Sequence, residues 1–133
     1  MRPIVALVLL ALATTTSAAK APGLSVKTGE SWVFAIQAGQ PAKARKVAPS
    51  TKANKGQVIV TVRSMMGTTM TISSNNSVAY TYQAELIGKG KAVPIRSCTL
   101  PANGGLAFEH WPQLAEAVRL SNFKVATKDG ACP

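Results

Sequence analysis

The feature that most constrains this chain is a two-residue alternation that runs through its middle in short, repeatedly interrupted stretches. Tyr80, Tyr82, Ala84 and Leu86 alternate with Thr81, Gln83 and Glu85. A period of two puts the first set on one face of an extended strand and the second set on the other. Val58, Val60 and Val62 repeat the pattern within residues 57–63, with Ile59 interrupting the polar side. Met65-Met66-Gly67-Thr68 supplies a turn, after which Met70 and Ile72 point the same way. Ser74-Asn75-Asn76-Ser77 is a second turn signal, because Asn tolerates left-handed backbone and closes local turns with its side chain.

The flanks extend the same pattern. Trp32, Phe34 and Ile36 share a face of a strand over residues 31–37, which Gly39-Gln40-Pro41 ends. Residues 42–55 are basic and polar with Val47 as their one larger aliphatic side chain, so they predict a mobile basic loop with at most a short strand at its start. Gly88-Lys89-Gly90-Lys91 closes the strand of the eighties, and residues 93–100 predict another strand, carrying Cys98. Pro101-Ala102-Asn103-Gly104-Gly105 is a turn, since Asn-Gly adopts positive φ at little cost. Residues 106–109 are extended. Leu114 and Val118 have helical spacing, but Val118 and Leu120 also suit a strand continuing to Phe123 and Val125, which is favoured. The apolar parity changes between Leu120 and Phe123, which predicts a bulge at Ser121-Asn122. With no long amphipathic helix, the class is all-β: an antiparallel sandwich of about six to eight strands, with a small barrel as the alternative.

The N-terminus has a different character. Met1-Arg2 precedes an apolar run from Ile4 to Ala13 and then small residues through Ala19, the three-part pattern of a secretory signal peptide. The run is too short for a membrane-spanning helix, which takes roughly 20 residues. Residues 1–19 are therefore expected to be removed, leaving residues 20–133 as one domain, periplasmic or secreted, without a transmembrane segment. The chain has two cysteines, Cys98 and Cys132. In an oxidising compartment the expectation is a disulfide between them, contributing roughly 3–4 kcal/mol.

Charge is the main compositional anomaly. The formal net charge is +10, and only Arg2 of the basic residues would leave with the leader. No acidic residue falls between Glu30 and Glu85, whereas Lys43, Arg45, Lys46, Lys52 and Lys55 do. Such a field attracts anionic partners, and these five residues are the candidate anion site. Anionic cell-envelope polymers, or an envelope protein, are the expected partners. Nucleic acid is disfavoured, since the stretch offers no aromatic side chain on which bases could stack.

The inventory for catalysis and metal binding is thin. His110 is the sole histidine, and its neighbour Glu109 would point to the opposite strand face, so the pair cannot form a triad-like relay. No catalytic residue, no cofactor and no metal are expected: the cysteines should be oxidised and the carboxylates are scattered. A small hydrolase using His110 stands as the weakest alternative. Phe108-Glu109-His110-Trp111 crowds aromatic, acidic and imidazole groups at a strand end, and with Trp32 these are the candidate ligand-binding residues for a sugar ring or peptide. Against that stands a plainer reading, in which Phe108 and Trp111 plug the core. Asn75-Asn76-Ser77 is also a formal glycosylation acceptor.

The stretch VIVTVRSMMGTTMTISSNNSVAYTYQAEL resembles the strand, turn, strand pattern of immunoglobulin-like modules in exported bacterial proteins, and CTLPANGGLAFEHWP is similar to small uncharacterised secreted proteins of proteobacteria. The resemblance implies an immunoglobulin-like sandwich and brings no activity with it. Cys98 and Cys132 lie too late to form the inter-sheet disulfide of antibody domains. The functional expectation is an exported, non-catalytic binding or structural module, with edge-strand pairing to a protein partner as the alternative.

Overall fold

The computed structural model describes residues 22–127. Nine strands follow in order: β1 (Leu24–Lys27), β2 (Ser31–Gln37), β3 (Gln40–Val47), β4 (Gln57–Ser64), β5 (Thr68–Ser74), β6 (Tyr80–Gly88), β7 (Lys91–Ile95), β8 (Leu106–Trp111) and β9 (Ala117–Val125). They form two antiparallel sheets, one of four strands ordered β1-β9-β6-β7 and one of five ordered β3-β2-β4-β5-β8. This is one strand more than the upper expectation, and no helix occurs among the described residues.

The alternation drives the packing. Val58, Val60 and Val62 of β4, with Met70 and Ile72 of β5, are fully buried and face Val26, Val118 and Leu120 of the other sheet across one continuous core. Burying such a side chain is worth about 1.5–3 kcal/mol. Phe34 and Phe123 join the sheets, their ring centroids 5.6 Å apart, and Tyr82 stacks on Phe123 at 5.5 Å. The expected bulge in the last strand is present. Gln83 pairs with Ser121 and Thr81 with Lys124, so β9 carries one extra residue there, and Asn122 takes a φ of 52°. That extra residue turns both Leu120 and Phe123 inward although they are three positions apart.

Two expectations need correction. The strand allowed at the start of the basic stretch is the eight-residue edge strand β3, which takes in Gln40 and Pro41 of the expected turn, pairs with β2 and is bulged between Val33 and Ala35 of its partner, with Lys43 at φ 52°. An edge strand is held by backbone pairing to its one neighbour and need not bury side chains, so its polar composition was no bar to it. The expected strand over residues 93–100 stops at Ile95. Beyond it the chain leaves the sheet, because other groups capture it: the Arg96 carbonyl accepts from Trp111 Nε1 at 3.3 Å, Ser97 Oγ donates to the Tyr82 carbonyl at 2.9 Å, and the Cys98 amide donates to Glu109 Oε1 at 2.7 Å. Leu100 then makes a lone bridge to Tyr80. The leader over residues 1–19 and Cys132, hence the disulfide, lie outside the described residues. No described helix is long and apolar enough to cross a membrane.

Candidate functional site

The five-stranded sheet carries the β3 cations on one margin and the β8 cluster on the other, with Lys52 and Lys55 on the connection that crosses between them. On one margin, β3 presents Lys43, Arg45 and Lys46, all exposed. Lys52 and Lys55 follow in the connection to β4, which folds back over the outer face so that Pro49 and Thr51 border Ile59, Thr61 and Leu106. Lys46 is the exception within the set. Its Nζ lies 2.9 Å from Glu30 Oε2, while Glu30 Oε1 accepts from Trp32 Nε1 at 3.2 Å and from the Lys27 amide at 3.1 Å. The Lys46 contact is foremost in holding the Glu30 carboxyl below its ordinary pKa, partial burial opposes it, and the Trp32 and Lys27 donors assist.

Trp32 is thus half-buried and committed to Glu30. β4 and β5 stand between its strand and β8. Three inter-strand spacings put it roughly 14 Å from the β8 cluster, so it does not join that site.

On the other margin, β8 divides the remaining candidates between its two faces. Trp111 turns inward, 8% exposed, and has no face open for stacking a ligand. Glu109 also turns inward, to the Cys98 amide. Phe108 points outward at 63% exposure and does not plug the core as the plainer reading supposed. His110 shares that outer face and lies 3.1 Å from the Met66 carbonyl through Nε2. The sequence thus assembled one cluster from residues that the strand separates: an exposed stripe of Leu106, Phe108 and His110 outside, and Glu109 with Trp111 inside.

Inside, burial and, secondarily, the Glu109 charge push the Tyr82 phenol well above its ordinary pKa. Among the described residues no group of three His, Cys, Asp or Glu converges on a metal position. The side-chain nitrogen of Asn75 donates to the Ala53 carbonyl at 3.1 Å, so the formal glycosylation acceptor is tied into the β3–β4 connection.

Two features had no functional reading in sequence. A shallow groove of about 370 Å³ runs between β7 and residues 113–115, with Leu86 in its lining, Lys89, Lys91 and Val93 on one side and Leu114 on the other. Nothing in the local sequence announces it, because its walls come from segments brought together by the sheet packing. The second is the exposed Met65-Met66 turn beside His110; its signal was present, two large apolar residues where a turn favours small polar ones.

The fold and these sites define a two-sheet, all-β protein with a basic margin and an apolar margin on one sheet. No protein-family model, no curated protein and no solved structure matches the chain.

Proposed function

We propose that this is an exported, non-catalytic binding module with an immunoglobulin-like sandwich, which holds an anionic envelope polymer against the basic margin formed by β3 and the connection after it. One observation carries the reading. Among the described residues only two ion pairs form, Lys46 with Glu30 and Arg119 with Glu85, which leaves Lys43, Arg45, Lys52 and Lys55 without a carboxylate partner. Cations without counter-charges, two on β3 and two on the connection that crosses the outer face beside Ser73, Asn75 and Gly104, attract a polyanion and respond steeply to salt.

The test is binding of the purified protein to anionic envelope extracts across a salt series, against a variant with Lys43, Arg45, Lys52 and Lys55 changed to Gln. Binding that weakens with salt and is lost in the variant supports the reading. Equal binding by both reduces the cations to a solubility device.

Pairing of a partner's strand with β8 is the second reading, favoured by how differently the four sheet edges are guarded. β1 has only four residues, β7 carries Lys91 and Pro94, and β3 carries Pro41, three cations and a bulge. β8 has neither proline nor bulge and exposes Leu106 and Phe108. Unblunted edges of this kind accept further strands. Such binding would be insensitive to salt and would fail in Phe108→Lys.

A further inference from the structure

We infer that the tip of the β4–β5 hairpin, together with His110, is a binding site for a soft monovalent metal ion, Cu(I) or its analogue Ag(I), through the thioethers of Met65 and Met66 and the imidazole of His110. The inference is independent of the basic margin and starts from an apolar anomaly. Met66 is 96% exposed and Met65 60%, so Met66 contributes almost no burial and Met65 buries only part of its surface. Met66 also holds a φ of 51°, a region that non-glycine residues seldom occupy. With packing a small part of what these side chains do, the chemistry that distinguishes them is the polarisable sulfur on a flexible, unbranched chain.

The fold brings a third ligand to the same tip. Pairing of β5 with β8 sets His110 opposite Thr69, one residue inside the strand end that follows the turn. There its Nε2 meets the Met66 carbonyl at 3.1 Å. A carbonyl only accepts, so Nε2 carries a proton, and in the neutral ring Nδ1 is then the nitrogen with the lone pair. A histidine that donates one ring N–H to a carbonyl while the other nitrogen stays free is oriented as metal-bound imidazoles are.

The donor set then selects the ion. Two thioethers and a neutral imidazole are soft to borderline ligands without charge, suited to Cu(I) and poorly suited to Mg, Ca or Mn. Arg63, opposite Thr69 on β4, adds a positive charge at the same end of the sheet and disfavours divalent cations further. The sequence expectation of no metal counted histidine, cysteine and carboxylates, and thioether sulfur lay outside that inventory.

The experiment titrates the purified full-length protein with Ag(I), following methionine methyl and histidine ring resonances by NMR. Cu(I) affinity is measured in parallel by competition with a chromophoric chelator under anaerobic, reducing conditions. One equivalent should move the Met65 and Met66 methyls and the His110 ring, while the methyl of Met70, fully buried, stays in place. The double variant Met65→Leu with Met66→Leu, and separately His110→Ala, should each weaken binding about tenfold or more. Leucine keeps the exposed apolar bulk, so a docking role for the tip would survive that change whereas a metal site would not. Circular dichroism matching that of wild type verifies that the variants are folded. No binding, binding unchanged in the methionine variant, or loss only in His110→Ala would each overturn the proposal.

Discussion

Tyr82 carries its hydroxyl into the core, where no hydrogen bond satisfies it. A buried, unsatisfied hydroxyl costs roughly 1–3 kcal/mol, so its removal should not destabilise. We expect Tyr82→Phe to be as stable as wild type or up to about 1 kcal/mol more stable in denaturant unfolding; a clear loss would mean that the hydroxyl is satisfied. Glu30 behaves in the opposite sense. Its folded pKa is depressed, chiefly by Lys46, so its contribution is present above the ordinary value of 4.5 and is lost as pH falls through the lower folded value. The stability gap between wild type and Glu30→Gln should be present near neutral pH and shrink progressively below pH 4.5. A gap that persists in acid would assign the effect to packing. Neither behaviour was legible in the sequence, because each depends on what a distant segment places beside the side chain.

Among the elements, alternation foretold β2, β4, β5 and β6 well, since a sheet with one buried face imposes its period directly on the residues. It also foretold the β9 bulge, because an inserted residue leaves a visible change of apolar parity. It failed for the extent of β3, where the ladder needs only backbone groups, and for residues 96–99, which Trp111 and Glu109 of β8 and the Tyr82 carbonyl of β6 hold outside the sheet. Within β8 the plainer reading, Phe108 and Trp111 both in the core, held for Trp111 and failed for Phe108. Strand parity could have separated these two faces, but which face became the inner one was decided by pairing with β5. The β4–β5 hairpin shows how tightly such a choice is enforced. A Cβ on Gly67, at φ 120°, would come within 2.2 Å of the Trp111 carbonyl, whereas one on Gly88 meets nothing within 4 Å. Gly67→Ala should therefore destabilise by about 1–3 kcal/mol in thermal or denaturant unfolding, and Gly88→Ala should be close to neutral. Equal effects would mean that the hairpin does not dock against the end of β8 as described.

For the whole molecule, the balance of charge and the two cysteines set the expectations that reach beyond the core. If the exported protein closes Cys98 with Cys132, thiol labelling of the denatured, unreduced chain should find no free cysteine. Two reactive thiols would remove both the disulfide and the stability assigned to it. The basic margin tests the net charge in a different way, since it asks whether +10 is concentrated or merely distributed.

The sequence by itself determined that this is an all-β chain, where its main core strands and turns lie, and that its charge lacks compensation over a long stretch. These are properties of period, turn chemistry and composition, which act within a few residues. Only the tertiary structure decided which edges stay open, that Lys46 is neutralised while its neighbours are not, that Trp32 and Trp111 lie apart, and that His110 meets the Met65-Met66 turn. Those outcomes depend on which strands become neighbours, and strand order is fixed by the collective burial of two sheet faces rather than by any local run of residues.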